Sequence, residues 1–443
     1  MIFYGILLAV ISTVFGQFLR IEIGSGGVLC TDIFLPILSF FWVFKNLLQA
    51  GTRNFWKNLQ KFPVFWESFF LITIFSISLF LAGVDLNFRE FSESGFYLFR
   101  YFFLLLFAFI VFDELSENAK KQSIFLKIVF FSGVLLAILG FIQLKIYPDF
   151  KEMAKIGWDP HIGRLLSTWF DPNYLGGLFS FLLVLLAGVF SVYLPNIYKT
   201  IKDIKNRAYT IRTYRVYYLI FTVISGILLL ALLFTFSRSA LLTFVIPVFF
   251  LGIFYFRKIL LIAGLSVLFI LPFSDRAMQR IGDGIQSAVS ISESQPLFLP
   301  DATARLRVEN FEEGIHLVTK NPENFWTGIG FNTIRLNRTE NIHSSGGFDA
   351  SLLNVFVTTG IFGLIAFLWF HFSMITKINR KIQKNSEISD RFLIKKGIQR
   401  GFIFSFIGIF AQSFFVNFLF FPLFLIYFFG ILGYSFSENS KKN

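Results

Sequence analysis

The sequence predicts an all-α polytopic membrane protein of about twelve transmembrane helices, with one large outer loop that contains short helices of its own. Three observations carry that reading. Apolar runs of roughly 18 or more residues, long enough to cross a hydrocarbon layer as helix, recur along the whole length of the 443 residues. Only 15% of residues are charged, where a soluble domain carries about 25%. The basic residues sort into alternate loops, as they do when loop charge sets orientation.

The first apolar run, residues 2–19, lacks a basic leader and a small-residue cleavage site, so it reads as a retained helix rather than a signal peptide. Spans follow near 28–44, 66–84, 97–112, 124–146, 173–194, 216–236, 239–256 and 259–273, then near 351–372, 401–418 and 420–436. Pro422 interrupts the last pair, which leaves a re-entrant hairpin open there. The chain thus divides into an N-terminal bundle of about nine spans (1–273), an outer loop (274–350) and C-terminal helices with a tail (351–443).

With the N-terminus placed in the cytoplasm, the inner segments hold 24 Lys and Arg and the outer ones 13. Counting Asp and Glu, the inner segments net +17 and the outer ones −5, which puts both termini inside. The basic clusters at 199–215 and 377–400 are both inner loops. The +13 net charge is therefore topological and calls for no nucleic acid. The single cysteine, Cys30, excludes an internal disulfide and reads as a small buried residue near a helix start.

The outer loop of 77 residues predicts one clear helix. Asp301 or Thr303 can cap it, Ala304, Val308, Phe311, Ile315 and Val318 form a 3–4 stripe, and Asn321-Pro322 stops it. Arg307 flanks that stripe at about 60° from its centre and Arg305 at about 100°, so Arg307 is better placed to reach a site beneath. The loop is too short and apolar to stand alone and is expected to roof a cavity.

Candidate chemistry gathers at the outer ends of the spans. Arg238 stands between two apolar runs, in FTFSRSALLTF. GRLLSTWFDPNYLGG, 163–177, delivers Arg164, Asp171 and Asn173, and Asp32 and Arg100 lie at the same level. A single arginine at a helix end is often a membrane anchor, but anchors favour the cytoplasmic side. Several on the opposite side suit a lipid-linked phosphate or pyrophosphate, because guanidinium offers a fork of donors and never deprotonates. Metal ligation is not expected, since the four histidines show no paired spacing. His343 and Asp349, beside Gly346 and Gly347, are candidates for a general base on an acceptor hydroxyl, and Asp349 can equally cap the next helix.

RLLSTWFDPNYLG, the SRSA of 237–240, ARLRVENFEEGIHLVTKNPENFWTGIG and the histidine loop leading into LLNVFVTTGIFGLI resemble the bacterial O-antigen ligase and O-antigen polymerase family over about residues 155–370. The resemblance implies a membrane-embedded C-type glycosyltransferase without metal or other cofactor. Such an enzyme takes a glycan from an undecaprenyl-pyrophosphate carrier on the periplasmic face of the inner membrane. The acceptor is another carrier-linked glycan in polymerases and lipid A–core in ligases, and a chain-length regulator is a further expected partner. By position, Arg164 and Arg238 hold the pyrophosphate, Arg307 or Arg305 assists, and His343, Asp349 or both activate the acceptor. Where ligases carry a His-Asn type pair, about eleven residues before the glycine matched by Gly360, this chain has Asp349, with His343 six residues earlier. That departure favours a polymerase.

A transporter or lipid-linked-glycan flippase is the competing class. It would favour repeated halves and charges near the midplane, whereas this sequence shows no repeat and keeps its polar groups at one face. A membrane scaffold would leave the outer arginines without a purpose.

Overall fold

The computed structural model describes residues 1–23, 26–83, 86–156, 158–203, 208–255, 257, 264, 302–334, 348–384 and 390–438. Helix dominates, as expected. In chain order the helices are α1 (Ile2–Ser12), α2 (Cys30–Gln60), α3 (Phe65–Ala82), α4 (Phe88–Leu115), α5 (Ala119–Ile146), α6 (Pro172–Asp203), α7 (Ala208–Phe234) and α8 (Arg238–Phe254). After them come α9 (Ala302–Thr319), α10 (Pro322–Thr327), α11 (Ser351–Lys384), α12 (Asp390–Gln412) and α13 (Pro422–Phe436). One departure is a short antiparallel hairpin, β1 (Arg20–Ile23) with β2 (Gly26–Leu29), in which Arg20 faces Leu29. It precedes α2, whose first residue, Cys30, is exposed rather than buried.

Among the described residues six helical stretches have the length and apolarity to cross a membrane: Cys30–Gln49, Phe65–Ala82, Phe88–Leu115, Ala119–Ile146, Pro172–Tyr193 and Ser351–Lys384. Ile2–Ser12, Leu219–Phe234, Arg238–Phe254 and Pro422–Phe436 are shorter apolar helices. The chain is a multi-pass membrane protein. The expected run at 259–273 lies outside the described residues.

Helices in lipid gain little from burying apolar surface against one another, so close packing and polar contacts must hold them. A tight seam joins α6 to α12. A Cβ on Gly188 would lie 2.3 Å from the carbonyl oxygen of Gly397, and one on Gly401 2.6 Å from the Cα of Leu185. The four-residue spacing of Gly397 and Gly401 puts both on one face of α12, so the two backbones meet directly. At the centre lies α13, buried throughout Leu423–Phe436 as its uniformly apolar sequence demands. Its Tyr427 hydroxyl donates to Ser132 Oγ of α5 at 2.9 Å and shares a 2.8 Å bond with Thr13 Oγ1 at the end of α1.

Two stretches of the sequence explain each other at the kink in α11. Gly360, at φ 64°, breaks the helix, and a Cβ there would lie 2.3 Å from Trp326 O. The carbonyls released by the break are taken up from outside. Val357 O accepts from Ile329 N and Thr358 O from Gly330 N, both at 3.0 Å, while Ser78 Oγ donates to Thr358 O at 2.7 Å. Gly328, at φ 74°, lets the WTGIG segment approach, since its Cβ would strike Thr358. Irregular backbone within an apolar helix long enough to cross a membrane is tolerated because protein, not lipid, satisfies it.

The helix expected between residues 274 and 350 forms, as α9, and Pro322 follows its end and opens α10. Its buried face is different. Gly314 and Val318 are buried and Gly314 closes on Leu353 of α11, while Phe311 and Ile315 stay 37% and 47% exposed. A missing side chain, which permits close approach, chose this contact over the apolar stripe.

Substituting Gly401→Leu should wedge α12 off α6 at the cost of about 1–3 kcal/mol or more. The purified protein in detergent is expected to lose several degrees in thermal midpoint, and an unchanged midpoint would refute the seam.

Candidate functional site

The break between α12 and α13, residues 413–421, is where the N-termini of three other helices arrive. Asn173, in the first turn of α6, accepts a 2.8 Å bond at Oδ1 from Ser237 Oγ, the N-cap of α8. Gln412, the last residue of α12, donates to Asn173 O at 3.2 Å and accepts from Thr243 Oγ1 of α8 at 2.8 Å. Ser351, opening α11, donates to Val416 O at 3.3 Å and accepts from Leu419 N at 3.1 Å. Helix N-termini carry partial positive charge, so three of them around one break make a region that favours an anion.

Arg238 is the first residue of α8 and is half-buried there. Arg307, on the buried face of α9, holds its guanidinium 5.5 Å from the Phe415 ring within the break. The sequence reading chose Arg307 for flanking an apolar stripe. The structure puts it about 20° from Gly314 around the helix, nearer the centre of the true contact face. Arg305 lies about 200° from Arg307 on the same helix, and its side chain lies outside what the structure describes. Asp349 is exposed between buried Phe348 and Ala350, two residues before Ser351. His343 lies outside the described residues.

Arg164 sits at the rim of the same region. It is buried, and its Nε donates to Thr235 O at 2.8 Å and its Nη2 to Phe236 O at 3.5 Å, two carbonyls just past the end of α7. It therefore fixes the α7–α8 turn that presents Arg238. The loop bearing Arg164 is itself held on two other sides. Gln143 Oε1 accepts from the N–H of Leu166 (2.9 Å) and Ser167 (3.3 Å). Thr168 Oγ1 donates to Val14 O at 2.7 Å and Trp169 Nε1 to Thr13 O at 2.9 Å. Ser167, Phe170 and Phe236 have positive φ of 50°, 59° and 50°. Such strain in residues other than glycine persists only where the surroundings over-determine the backbone.

Asp171 caps α6, accepting from Asn173 N at 2.6 Å and Tyr174 N at 3.2 Å. Burial pushes its carboxyl up to about 6, while those two N–H groups and Arg164 pull it down. Asp171, Asp349 and Asp159 all act electrostatically on Tyr174, so Asp349 stands in range of the α6 entrance. Tyr174 stacks on Phe421 at 4.0 Å, which gives the region an aromatic wall.

Arg100 and Asp32 are spent on each other. Nε reaches Asp32 Oδ1 at 2.7 Å, Nη2 reaches Asp32 Oδ2 at 2.5 Å and Gly27 O at 2.7 Å, and the guanidinium lies over the rings of Phe96 and Tyr97. The pair clamps α4 to α2 and the hairpin. Sequence reasoning passed over Gln143, Gln412 and Ser237, which organise the site. The signal for the two glutamines was an uncharged amide inside an otherwise apolar run, where a polar group demands a partner. Among the described residues, no group of three or more His, Cys, Asp or Glu could hold a metal ion.

None of the curated proteins compared with the chain matches it. Residues 223–368 match the sequence model of a family described as O-antigen ligase. That third of the chain contains Arg238, Arg305, Arg307, His343, Asp349 and the Gly360 kink, and it ends before Gln412. This family implies a glycan-transferring enzyme of ligase or polymerase type, and the match supports placing the chain with the O-antigen ligase and polymerase family.

Proposed function

We propose that the chain is an inner-membrane glycan polymerase that moves oligosaccharide from an undecaprenyl-pyrophosphate donor to a lipid-linked glycan on the periplasmic face. The observation carrying this reading is the gathering of Arg164, Arg238 and Arg307 with three helix N-termini around the α12–α13 break. Fixed positive charge of this kind, already oriented, stabilises a departing diphosphate without reorganisation.

In the transfer, the acceptor hydroxyl attacks the anomeric carbon. The bond from that carbon to the diphosphate oxygen breaks, and the electron pair leaves on the diphosphate. Arg238 and Arg307 receive the charge, and Arg164 both braces the turn carrying Arg238 and adds its own. The hydroxyl proton passes to Asp349, to His343, or to one through the other. Asp349 is exposed, as a base facing a substrate must be. The arginines supply the cationic charge, so no metal is required.

The ligase reading, with lipid A–core as acceptor, has one specific observation in its favour: the matched family is described as O-antigen ligase. A deletion strain separates the two on a glycan gel. Loss of long chains with one capped unit retained means polymerase, and loss of every attached unit means ligase.

Arg238→Lys keeps the charge but loses the fork. Transfer by the purified protein is expected to fall about 10²-fold, and wild-type transfer is expected to survive EDTA. A fully active lysine variant or an absolute need for Mg²⁺ would overturn the mechanism.

Asp171 gives a pH signature. Below about 6 its carboxyl takes up a proton and stops offsetting the arginines. The KM for donor should therefore drop roughly three- to tenfold as pH is lowered through that value. Asp171→Asn, which retains a capping oxygen, should hold KM at the low-pH level throughout. A variant that follows the wild-type curve would remove Asp171 from this role.

A further inference from the structure

A second polar cluster lies at the other end of the bundle. Gln143, which holds the Arg164 loop, and Lys121 stand 22 residues apart on α5, about 33 Å along the axis at ~1.5 Å per residue. That is one hydrocarbon thickness. At the Lys121 end a groove of about 630 Å³ opens between the start of α1, α2 and the α4–α5 turn.

Its chemistry is divided. Lys45, Lys120 and Lys121 line one part, with the single carboxylate of Glu114 between them. Glu114 is buried and pairs with Lys45 and, at 2.7 Å, with Lys121. Each ammonium has three donors, so this pairing positions the two lysines without exhausting them. Their side chains remain 39% and 32% exposed, and Lys120 is exposed outright. The remaining walls are apolar: Ile2 and Phe3 are buried, and Tyr4 and Phe41 are 74% and 42% exposed.

The geometry points to a binding site for an anionic phospholipid, with the phosphodiester on Lys45, Lys120 and Lys121 and the acyl chains against Tyr4 and Phe41. Three cations to one carboxylate select a negative headgroup, and the apolar rim distinguishes a lipid from free phosphate. Lysine suits the task, because its compact charge attracts a headgroup without fixing it bidentately. The site stands apart from the glycan-transfer reading, and its test reads binding alone.

The full-length protein in a neutral detergent is titrated with short-chain phosphatidylglycerol, with phosphatidylcholine and with inorganic phosphate, following the thermal midpoint. Phosphatidylglycerol should raise it, and the other two should not. Lys120→Glu breaks no hydrogen bond or ion pair among the described residues and should weaken apparent affinity about 25-fold, from about fivefold per unit of charge near an anionic headgroup. Stripping Lys45 and Lys121 alone would strand buried Glu114, so the second variant is K45Q/E114Q/K121Q, also expected to lose the effect. Equal shifts from both lipids, or an unchanged response in both variants, would overturn the proposal. A shift from inorganic phosphate alone would assign the groove to a soluble anion instead.

Discussion

The seam between α6 and α12 sets the terms for everything above it. Two helices in hydrocarbon have no strong reason to choose one partner or one axial register, because lipid tails satisfy an apolar surface as well as leucine does. Gly188, Gly397 and Gly401 remove the side chains between these two backbones, and contact at that distance admits one register only. That register delivers Gln412, at the end of α12, to Asn173 at the start of α6. From Gln412 the order spreads to Thr243, and from Asn173 to Ser237, so α8 begins where it does because α6 and α12 cannot slide.

Above the seam the backbone is held by side chains rather than by regular structure. The loop through Ser167 and Trp169 is tied to the end of α5, the end of α1 and the end of α7, and it carries positive φ at Ser167 and Phe170. Each such residue costs about 1–3 kcal/mol in backbone strain, which the surrounding bonds offset. The return on that cost is preorganisation: charges aimed before substrate arrives stabilise a developing anion better than charges that must move to it.

What the sequence made legible follows from which forces are local. Helix content was readable because apolar run length alone decides it, and α9 was readable because Asn321-Pro322 must end it. Counting loops brought Arg164, Asp171 and Asn173 to the same level as Arg238, and the bonds from Arg164 to Thr235 O and from Ser237 to Asn173 join those two turns. Three features were hidden. The face of α9 was misjudged because a glycine, invisible to hydrophobic pattern, set the contact at Leu353. The β1–β2 hairpin escaped because four-residue strands leave too little alternation to read. Arg100 and Asp32 looked like free chemistry because charge at a membrane boundary reads the same whether its partner is a substrate or a helix 68 residues away. Only pairing geometry separates the two.

That separation also explains why arginine and lysine occupy opposite ends of the molecule's described polar clusters. Around the α12–α13 break the cations include Arg164, Arg238 and Arg307, and at the α4–α5 turn they are Lys45, Lys120 and Lys121. Guanidinium is weakly hydrated and planar, so it can be half-stripped of water, share its donors with carbonyls as Arg164 does, and still present an oriented edge. Ammonium keeps its water more tightly and gains little from orientation. A transition state rewards fixed direction, whereas a membrane headgroup that exchanges with its neighbours rewards charge alone. On the two proposals made above, the chain divides these cations by how much geometry each task requires.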